Sequence, residues 1–278
     1  MSDSSPPQPP NHLRWSGLTH PGRVRQNTED TFLCLNFDAR ELRHLGKFGE
    51  SSLDTGDFVF AVSDGMGGAK SGEFASKIAA EKITKLLPKS FKQSAQQLTA
   101  GHGDVLQELF HRIHEELLQF GRCYDECRGM GATLSLGWFT PGWLHFAHIG
   151  DSRIYWLPKG GKMKQLTDDH SHVGWLQRHG QLNERQAREH PRKSILMQVL
   201  GAGRQSLDPQ IGSVGCESGD RFLFCTDGVI DGIWDHRLAD MLAEDQSPEG
   251  KTRAQWFVEY AVAESGRDNA SAVVVELV

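Results

Sequence analysis

The sequence predicts an α+β fold, a β-sandwich of two antiparallel sheets flanked by layers of α-helices. Short apolar, β-branched runs typical of strands occur towards both ends of the chain, and two long segments in the middle have helical apolar spacing. Strands and helices do not alternate regularly, which argues against a parallel βαβ protein. The length of 278 residues is sufficient for one large domain with a substantial core.

The chain starts with a polar, proline-rich segment, residues 1–11, which lacks the basic and apolar regions of a secretory signal. We expect it to be a disordered tail that precedes a folded domain over 12–278. Two strands, 13–18 and 31–37, are predicted to flank a loop rich in charges and turn formers. We interpret the polar, irregular stretch 38–57 that follows as a surface excursion between two strands.

Two continuous apolar runs then end in the same way. Residues 58–62 lead into Ser63-Asp64-Gly65, and residues 222–225 lead into Thr226-Asp227-Gly228. Such runs are typical of strands buried on both faces, so each would deliver an aspartate to a strand end, with glycine allowing a sharp turn. The two aspartates suggest a shared metal site, but isolated Asp-Gly pairs are also typical of hairpin turns.

Apolar stripes at helical spacing predict four helices. They cover residues 73–87, with Pro88 marking the end, and residues 100–121, 235–243 and 253–264. The remaining strands are predicted at 133–139, 143–149, 153–157, 210–214, 220–225 and 270–278. A polar segment over 172–194 has no clear core pattern and should contain short helices.

Composition excludes several classes of protein. The net charge of −6 disfavours general affinity for nucleic acid or an anionic membrane, and no apolar run is long enough to cross a bilayer. Five cysteines without a CxxC pair do not suit a disulfide scaffold or a zinc site. We therefore expect a cytoplasmic protein with free thiols.

The glycine-rich stretch from Gly65 to Ser71 does not fit a nucleotide-binding P-loop. That motif needs glycine immediately before the Lys-Ser pair and again five residues earlier, where this chain has Ala69 and Asp64. Acidic residues instead recur at predicted loops and strand ends: Glu29, Asp30, Asp64, Asp151, Asp227 and Asp268. Oxygen-rich sites of this kind suit Mg²⁺ or Mn²⁺ rather than zinc.

Seven short motifs follow one another in a specific order. They are Arg25-Gln26-Asn27-Thr28-Glu29-Asp30, Val62-Ser63-Asp64-Gly65-Met66-Gly67-Gly68, Gly131-Ala132-Thr133-Leu134, His148-Ile149-Gly150-Asp151-Ser152-Arg153, Leu166-Thr167-Asp168-Asp169-His170-Ser171, Cys225-Thr226-Asp227-Gly228 and Gly266-Arg267-Asp268-Asn269. From about Leu13 to the C-terminus the chain closely resembles the metal-dependent PPM family of protein serine/threonine phosphatases, the type 2C class, in its bacterial form.

The resemblance implies roles for individual residues. Asp64 would bridge two metal ions, Mn²⁺ or Mg²⁺, with Glu29 and the Gly65 carbonyl helping to hold the second. Asp227 and Asp268 would hold the first ion. Asp151 would share a weaker third ion with Asp227. Arg25 would bind the substrate phosphate, because its planar charged fork matches phosphate oxygens.

The implied reaction is hydrolysis of phosphoserine and phosphothreonine in proteins. Two ions about 3.5–4 Å apart would activate a bridging hydroxide that attacks phosphorus directly, without a phosphoenzyme. Phosphorylated proteins and an opposing Ser/Thr kinase would be the partners of a monomeric enzyme. The alternative is a catalytically silent, phosphoprotein-binding regulatory module, and the intact acidic set argues against it.

A few positions depart from the family pattern or leave a role open. Thr28 replaces the asparagine that commonly precedes the Glu-Asp pair, and Met66 replaces the histidine proposed as general acid in many eukaryotic relatives. His170 could act as an acid or only make a structural hydrogen bond. Residues 172–194 correspond to the flap of bacterial relatives, where the charged side chains either bind phosphoproteins or solubilise the surface.

Overall fold

A computed structural model describes residues 12–38, 40–67, 69–97, 101–203 and 206–278 of the chain. The predicted disordered tail, residues 1–11, lies outside the described residues. The described chain forms two antiparallel sheets packed face to face with helices on both outer sides. This arrangement is the sandwich that the sequence predicts.

The first sheet has six strands in the order β10-β9-β13-β14-β1-β4, with each neighbouring pair antiparallel. Their bounds are β1 (His12–His20), β4 (Phe48–Ser52), β9 (Arg153–Leu157), β10 (Lys164–Gln165), β13 (Arg221–Cys225) and β14 (Ala270–Leu277). The C-terminal strand β14 lies between β13 and β1, so strands from the two ends of the domain are neighbours in the middle of this sheet.

The second sheet has eight strands, six of them in the order β11-β6-β5-β7-β8-β12, with β2 paired to β5 and β3 paired to β2. Their bounds are β2 (Asp30–Phe37), β3 (Leu42–His44), β5 (Asp57–Met66), β6 (Gly131–Ala132), β7 (Leu134–Thr140), β8 (Trp143–Ile149), β11 (Leu200–Gly201) and β12 (Gln210–Gly215). All pairings are again antiparallel.

Helices cover the outer faces of both sheets. The described helices are α1 (Ala69–Gln97), α2 (His102–Cys123), α3 (His172–Arg178), α4 (Glu184–Glu189), α5 (Asp227–Gly232), α6 (Asp235–Ala243) and α7 (Arg253–Glu264). Helices α1 and α2 pack on the second sheet, and α5, α6 and α7 pack on the first. Helices α3 and α4 belong to the predicted flap.

Side-chain alternation along the central strands explains the layers. On β5, Phe58 and Phe60 point into the core between the sheets, where they meet Phe222 and Phe224 of β13. Val59 on the same strand points the other way, towards α1 and α2. Both apolar runs are therefore buried on both faces, as predicted, and they lie on facing sheets.

Most predicted elements are confirmed, and the helices 235–243 and 253–264 match α6 and α7. Two predictions were wrong. Helix α1 does not end at Pro88 but continues to Gln97. A proline inside a helix removes one backbone hydrogen bond and crowds the preceding turn, but the helix-forming residues that follow it favour continuation. The stretch 38–57 lies mostly at the surface, as predicted, but its described part is not irregular, since β3 extends the second sheet and β4 forms the edge of the first.

All five cysteines are free, and four of them are buried. Among the described residues, no helix is long and apolar enough to span a lipid bilayer.

Candidate active site

One cavity of about 650 Å³ opens at the end of the sandwich where the two sheets meet the loop after β1. All seven residues predicted for the site line it: Arg25, Glu29, Asp64, Gly65, Asp151, Asp227 and Asp268. They come from positions up to 243 residues apart in the chain. The fold thus gathers the complete predicted set around a single space.

Asp64 lies inside a strand rather than at its end. Strand β5 continues through Gly65 to Met66, and Asp64 is paired opposite Asp30 of β2. Its backbone N–H donates to Thr133 Oγ1 at 3.0 Å, and its carbonyl accepts from the Thr133 N–H at 2.8 Å. The backbone on both sides therefore fixes the position of this carboxylate.

The predicted reason for the two Asp-Gly glycines was wrong. Gly65 lies within β5 and Gly228 lies within α5, so neither makes a sharp turn or a hairpin. A Cβ atom at Gly65 would lie 1.9 Å from the Gly72 carbonyl oxygen, and one at Gly228 would lie 1.9 Å from the Asn269 carbonyl oxygen. Glycine is needed at both positions because another backbone packs directly against it.

Asp227 is the first residue of the short helix α5, directly after β13. Thr226, which precedes it, donates its hydroxyl hydrogen to Asp30 Oδ2 at 2.7 Å and accepts from the Ser271 N–H at 3.0 Å. Asp30 is buried and belongs to the opposite sheet. This contact joins the two sheets directly behind the aspartates of the cavity.

Asp151 lies in the turn between β8 and β9. Its neighbour Gly150 donates its N–H to His170 Nδ1 at 3.2 Å and accepts the His170 N–H at 2.6 Å. His148, fully buried, contacts the Gly150 carbonyl oxygen at 3.1 Å through Nε2. His170 does not line the cavity, and its two contacts with Gly150 support the turn. Of the two roles open from the sequence, these contacts fit the structural hydrogen bond rather than the acid.

One amide side chain, that of Asn269, links the loop that carries Asp268 to the loop that carries Glu29. Asn269 Oδ1 accepts the Glu29 N–H at 2.6 Å, while Asn269 Nδ2 donates to the carbonyl oxygens of Pro21 and Asn27, each at 2.9 Å. This side chain therefore holds the whole loop between β1 and β2. In the sequence, Asn269 lies within one of the seven motifs, but the motif alone predicts no role for it.

Arg25 is in an ion pair with Asp268, its Nη2 donating to Oδ2 at 2.8 Å. This hydrogen bond, with the charge of Asp268, raises the pKa of the guanidinium. Both side chains remain partly exposed in the cavity. The arginine thus lies within reach of any anion that enters between the carboxylates.

The carboxylates of the cavity carry shifted pKa values. Burial, reinforced by the charges of Asp30 and Asp227, raises the pKa of Asp64 well above its ordinary value. Burial and the charge of Asp151 do the same for Asp227. Burial raises the pKa of Asp151 to about 7. Clustered acids with these shifts favour cations, which neutralise their charge.

Burial raises the pKa of Glu29, and it raises that of Asp30 to about 6. Asp30 lies behind the cavity rather than in its wall, and its hydrogen bond to Thr226 was not foreseen from the sequence. The position of Asp30 next to Glu29 was visible in the sequence, but its partner 196 residues away was not.

The residues lining the cavity fit divalent ions by donor type. Every predicted ligand offers oxygen, from a carboxylate or the Gly65 carbonyl, which hard cations prefer. Within the described ranges, no three His, Cys, Asp or Glu side chains are already arranged to hold an ion. The acids surround the cavity instead of converging, and Asp268 is engaged by Arg25. The shared cavity and its oxygen donors nevertheless fit hard divalent ions.

The chain is similar to known phosphatases over most of its length. Residues 47–265 match the profile of protein phosphatase 2C. The chain is 31% identical to the serine/threonine phosphatase stp of Listeria innocua over 220 residues, which covers 78% of this chain and 84% of that one.

Solved structures agree with this similarity. The Mycobacterium tuberculosis serine/threonine phosphatase PstP superposes with a TM-score of 0.75 at 27% identity and covers 96% of this chain and 99% of that one. The catalytic domain of PstP in complex with two manganese ions gives a TM-score of 0.71, again at 27% identity, with the same coverage of each chain.

The relatives are named as phosphatases, and nothing in the structure or the comparisons favours a catalytically silent module. The predicted fold and family are confirmed. The chain belongs to the protein phosphatase 2C family and is a metal-dependent protein serine/threonine phosphatase.

Proposed function

We propose that Asp64 bridges two divalent ions in this phosphatase. Asp227 and Asp268 would hold the first ion, and Glu29 with the Gly65 carbonyl would help to hold the second. One observation carries the proposal, since all five residues line the same cavity of about 650 Å³. Their oxygen donors suit Mn²⁺ or Mg²⁺. Bound ions of this kind activate water and offset charge on the phosphate.

A third, weaker ion would lie between Asp151 and Asp227. The support is that these two carboxylates also line a second, smaller cavity beneath the flap, together with Asp231. In addition, burial and then the negative charge of Asp151 raise the pKa of Asp227. Replacing Asp151 with Asn should reduce the number of Mn²⁺ ions bound at saturation, measured by calorimetry, while the two tighter ions remain.

Arg25 would bind the phosphate of the substrate. Its guanidinium is partly exposed in the cavity and currently pairs with Asp268, so an incoming phosphate would compete with that carboxylate. A lysine would keep the charge but lose the bidentate fork. Arg25→Lys should therefore lower kcat/KM for phosphopeptides, and an unchanged kcat/KM would contradict this role.

The central test is the replacement of Asp64 with Asn. We expect wild-type hydrolysis of p-nitrophenyl phosphate to require Mn²⁺ and to be lost in Asp64→Asn, with weaker Mn²⁺ binding by calorimetry. Asp240→Asn is the matched control, because Asp240 is exposed on α6 away from the cavity. Full activity in Asp64→Asn, or equal losses in both variants, would refute the assignment.

The natural substrates would be proteins phosphorylated by an opposing Ser/Thr kinase. The flap extends towards the cavity, whose wall includes Ser194 and Leu196, so it could contact the protein around the phosphoresidue. Equal activity on every phosphoprotein after deletion of residues 172–194 would exclude recognition of the substrate by the flap.

We also expect the protein to work in the cytoplasm as a monomer. Free thiols, four of them buried, suit a reducing cytoplasm. Light scattering would test the oligomeric state.

A further inference from the structure

The helix that carries Asp227 is too short to be stable by itself. Helix α5 has only six residues, Asp227–Gly232, and a helix of this length depends on its surroundings. The carbonyl groups in its last turn have no partner within the helix and need donors from elsewhere. The groups that donate hydrogen bonds to these carbonyl oxygens therefore also determine the position of the helix and of Asp227.

Arg188 of the flap supplies one of those donors and a second donor to the carbonyl just after the helix. Its Nη1 donates to the carbonyl oxygen of Ile230 in α5, and its Nη2 donates at 2.7 Å to the carbonyl oxygen of Ile233, directly after the helix. The guanidinium also lies 4.5 Å from the centre of the Trp234 ring. A positive charge at this position favours the carboxyl end of a helix.

Glu184 completes the contact one turn earlier in α4. Its Oε1 accepts from Arg188 Nη2 at 2.8 Å and from the backbone N–H of Asp235 at 3.0 Å. Asp235 is the first residue of α6, so an acidic group lies at the amino end of that helix. The ion pair thus fits between the end of α5 and the start of α6.

The same helix of the flap provides an internal comparison. The Arg188 side chain is only 14% exposed and that of Glu184 is 29% exposed. The neighbouring pair, Arg185 with Glu189, has the same spacing but is 76% and 68% exposed. A surface pair contributes little, whereas removing one member of a shielded pair leaves unpaired polar groups behind.

We propose that Arg188 and Glu184 are positioning residues that fix α5 and thereby set the position of Asp227 in the cavity. The flap then supports the catalytic centre as well as bordering it. A second contact agrees with this role, since Lys193 Nζ pairs with Asp231 Oδ2 of α5 at 2.6 Å. The consequence for catalysis rests on the proposed function of Asp227, but the restraint on α5 does not.

The test compares Arg188→Ala with Arg185→Ala, the matched control from the same helix. In the metal-free protein, hydrogen exchange of the backbone amides over 229–233 should be about tenfold faster in Arg188→Ala and unchanged in Arg185→Ala. With p-nitrophenyl phosphate, kcat should fall about tenfold in Arg188→Ala because Asp227 is displaced, with KM little changed. Mn²⁺ should bind about tenfold more weakly.

Glu184→Gln and Arg188→Lys extend the test to milder changes in case Arg188→Ala fails to fold. Each should give a smaller increase in exchange over 229–233, with a normal circular dichroism spectrum. Unchanged exchange in these variants, or equal changes in Arg185→Ala, would overturn the proposal. A raised KM with normal kcat and Mn²⁺ affinity would also overturn it, because that pattern belongs to a flap that only controls access.

If the wild type hydrolyses no p-nitrophenyl phosphate, the proposed function fails. The exchange measurement still decides whether Arg188 restrains α5.

Discussion

Asp64 and Asp268 face the same cavity but are held in different ways. Asp64 lies inside β5, where its backbone N–H and carbonyl both bond to Thr133. Asp268 lies in a loop after α7, and its neighbour Asn269 joins that loop to the one carrying Arg25 and Glu29. Strand β5 therefore supports Asp64 through its backbone, whereas a single side chain, that of Asn269, joins the loops of Asp268 and Glu29.

This difference indicates which changes should disrupt each wall of the cavity. One wall of the cavity is formed by β5 with Asp64, and we call the loops that carry Arg25, Glu29 and Asp268 the loop wall. Because a strand ladder is lost only when the backbone moves, the β5 wall should be disrupted by added volume but tolerate the loss of a side-chain hydrogen bond. The loop wall should lose its position when the amide of Asn269 is removed. The two walls can be tested separately, from the largest expected effect to the smallest.

Adding a methyl group at Gly65 should have the largest effect. The Cβ of Gly65→Ala would lie 1.9 Å from the Gly72 carbonyl oxygen, so β5 and the start of α1 would have to separate. We expect a loss of about 3 kcal/mol in the free energy of unfolding and loss of Mn²⁺-dependent turnover. Urea unfolding and p-nitrophenyl phosphate hydrolysis measure the two effects.

Gly215→Ala is the control for this change. Gly215 also lies in a strand, β12, but nothing lies within 4 Å of a Cβ placed there. It should retain stability and turnover. A fully active, stable Gly65→Ala enzyme would show that the two backbones are not in obligatory contact.

Removing the Asn269 side chain should be the next largest change. Asn269→Ala deletes three hydrogen bonds that hold the loop of Arg25 and Glu29. We expect kcat/KM to fall about 100-fold through misplacement of that loop, with about 2 kcal/mol of stability lost.

Asn36→Ala is the matched control, because Asn36 is 5% exposed and Asn269 is 3% exposed, and Asn36 lies outside the cavity. It should lose stability but retain kcat/KM. If the two variants lost activity equally, the loop wall would not depend on Asn269 in particular.

The turn of Asp151 is a third case, because buried histidine supports it. Burial lowers the pKa of His148 to about 3. Between pH 6.5 and 3 the unfolded chain therefore binds a proton at this position and the folded protein does not. The free energy of unfolding should be fully maintained above pH 6.5 and decrease as the pH falls, by about 2 kcal/mol at pH 5 from this group.

The comparison of wild type with His148→Gln isolates this contribution. The variant cannot take up the proton, so its free energy of unfolding should depend less on pH between 7.5 and 4.5. Urea titrations of both proteins at several pH values give the difference between their free energies of unfolding, in which the contributions of the other titratable groups cancel. Parallel pH profiles would show that His148 takes up its proton equally in both states.

The acids of the cavity were predicted from the sequence better than the contacts that support them. The order of seven motifs was sufficient to name all the carboxylates of the cavity, because each of these acids lies within a short local pattern. The supporting bonds join residues far apart in the chain, such as Glu29 with Asn269 and Gly150 with His170. Spacing along one sequence contains no signal for such contacts.

The errors in the fold have a similar origin. The polar segment 38–57 has weak alternation, and it becomes β3 and β4 only because each finds a partner strand. Pro88 was interpreted from local rules, but a long helix packed on a sheet tolerates one lost hydrogen bond. The prediction that Gly65 and Gly228 allow sharp turns was wrong, because glycine is needed there for contact with a second backbone segment. Such a contact depends on the tertiary structure and is not visible in the local sequence.

The smallest effect should follow removal of the Thr133 hydroxyl, and it is the sharpest test of the comparison. Thr133→Val loses the acceptor for the Asp64 N–H and the contact with Ser152, but the bond from the Thr133 N–H to the Asp64 carbonyl remains. We expect about 1–2 kcal/mol of lost stability from the unpaired groups. Turnover should fall less than tenfold, because the ladder still holds Asp64.

Thr133→Ser keeps the hydroxyl and serves as the control, with stability closer to wild type. Both variants should be assayed with p-nitrophenyl phosphate at saturating Mn²⁺, beside Asn269→Ala. If Thr133→Val lost as much kcat/KM as Asn269→Ala, then the side chain rather than the strand would position Asp64. The two walls of the cavity would then be built on the same principle, because each acid would depend on one polar side chain.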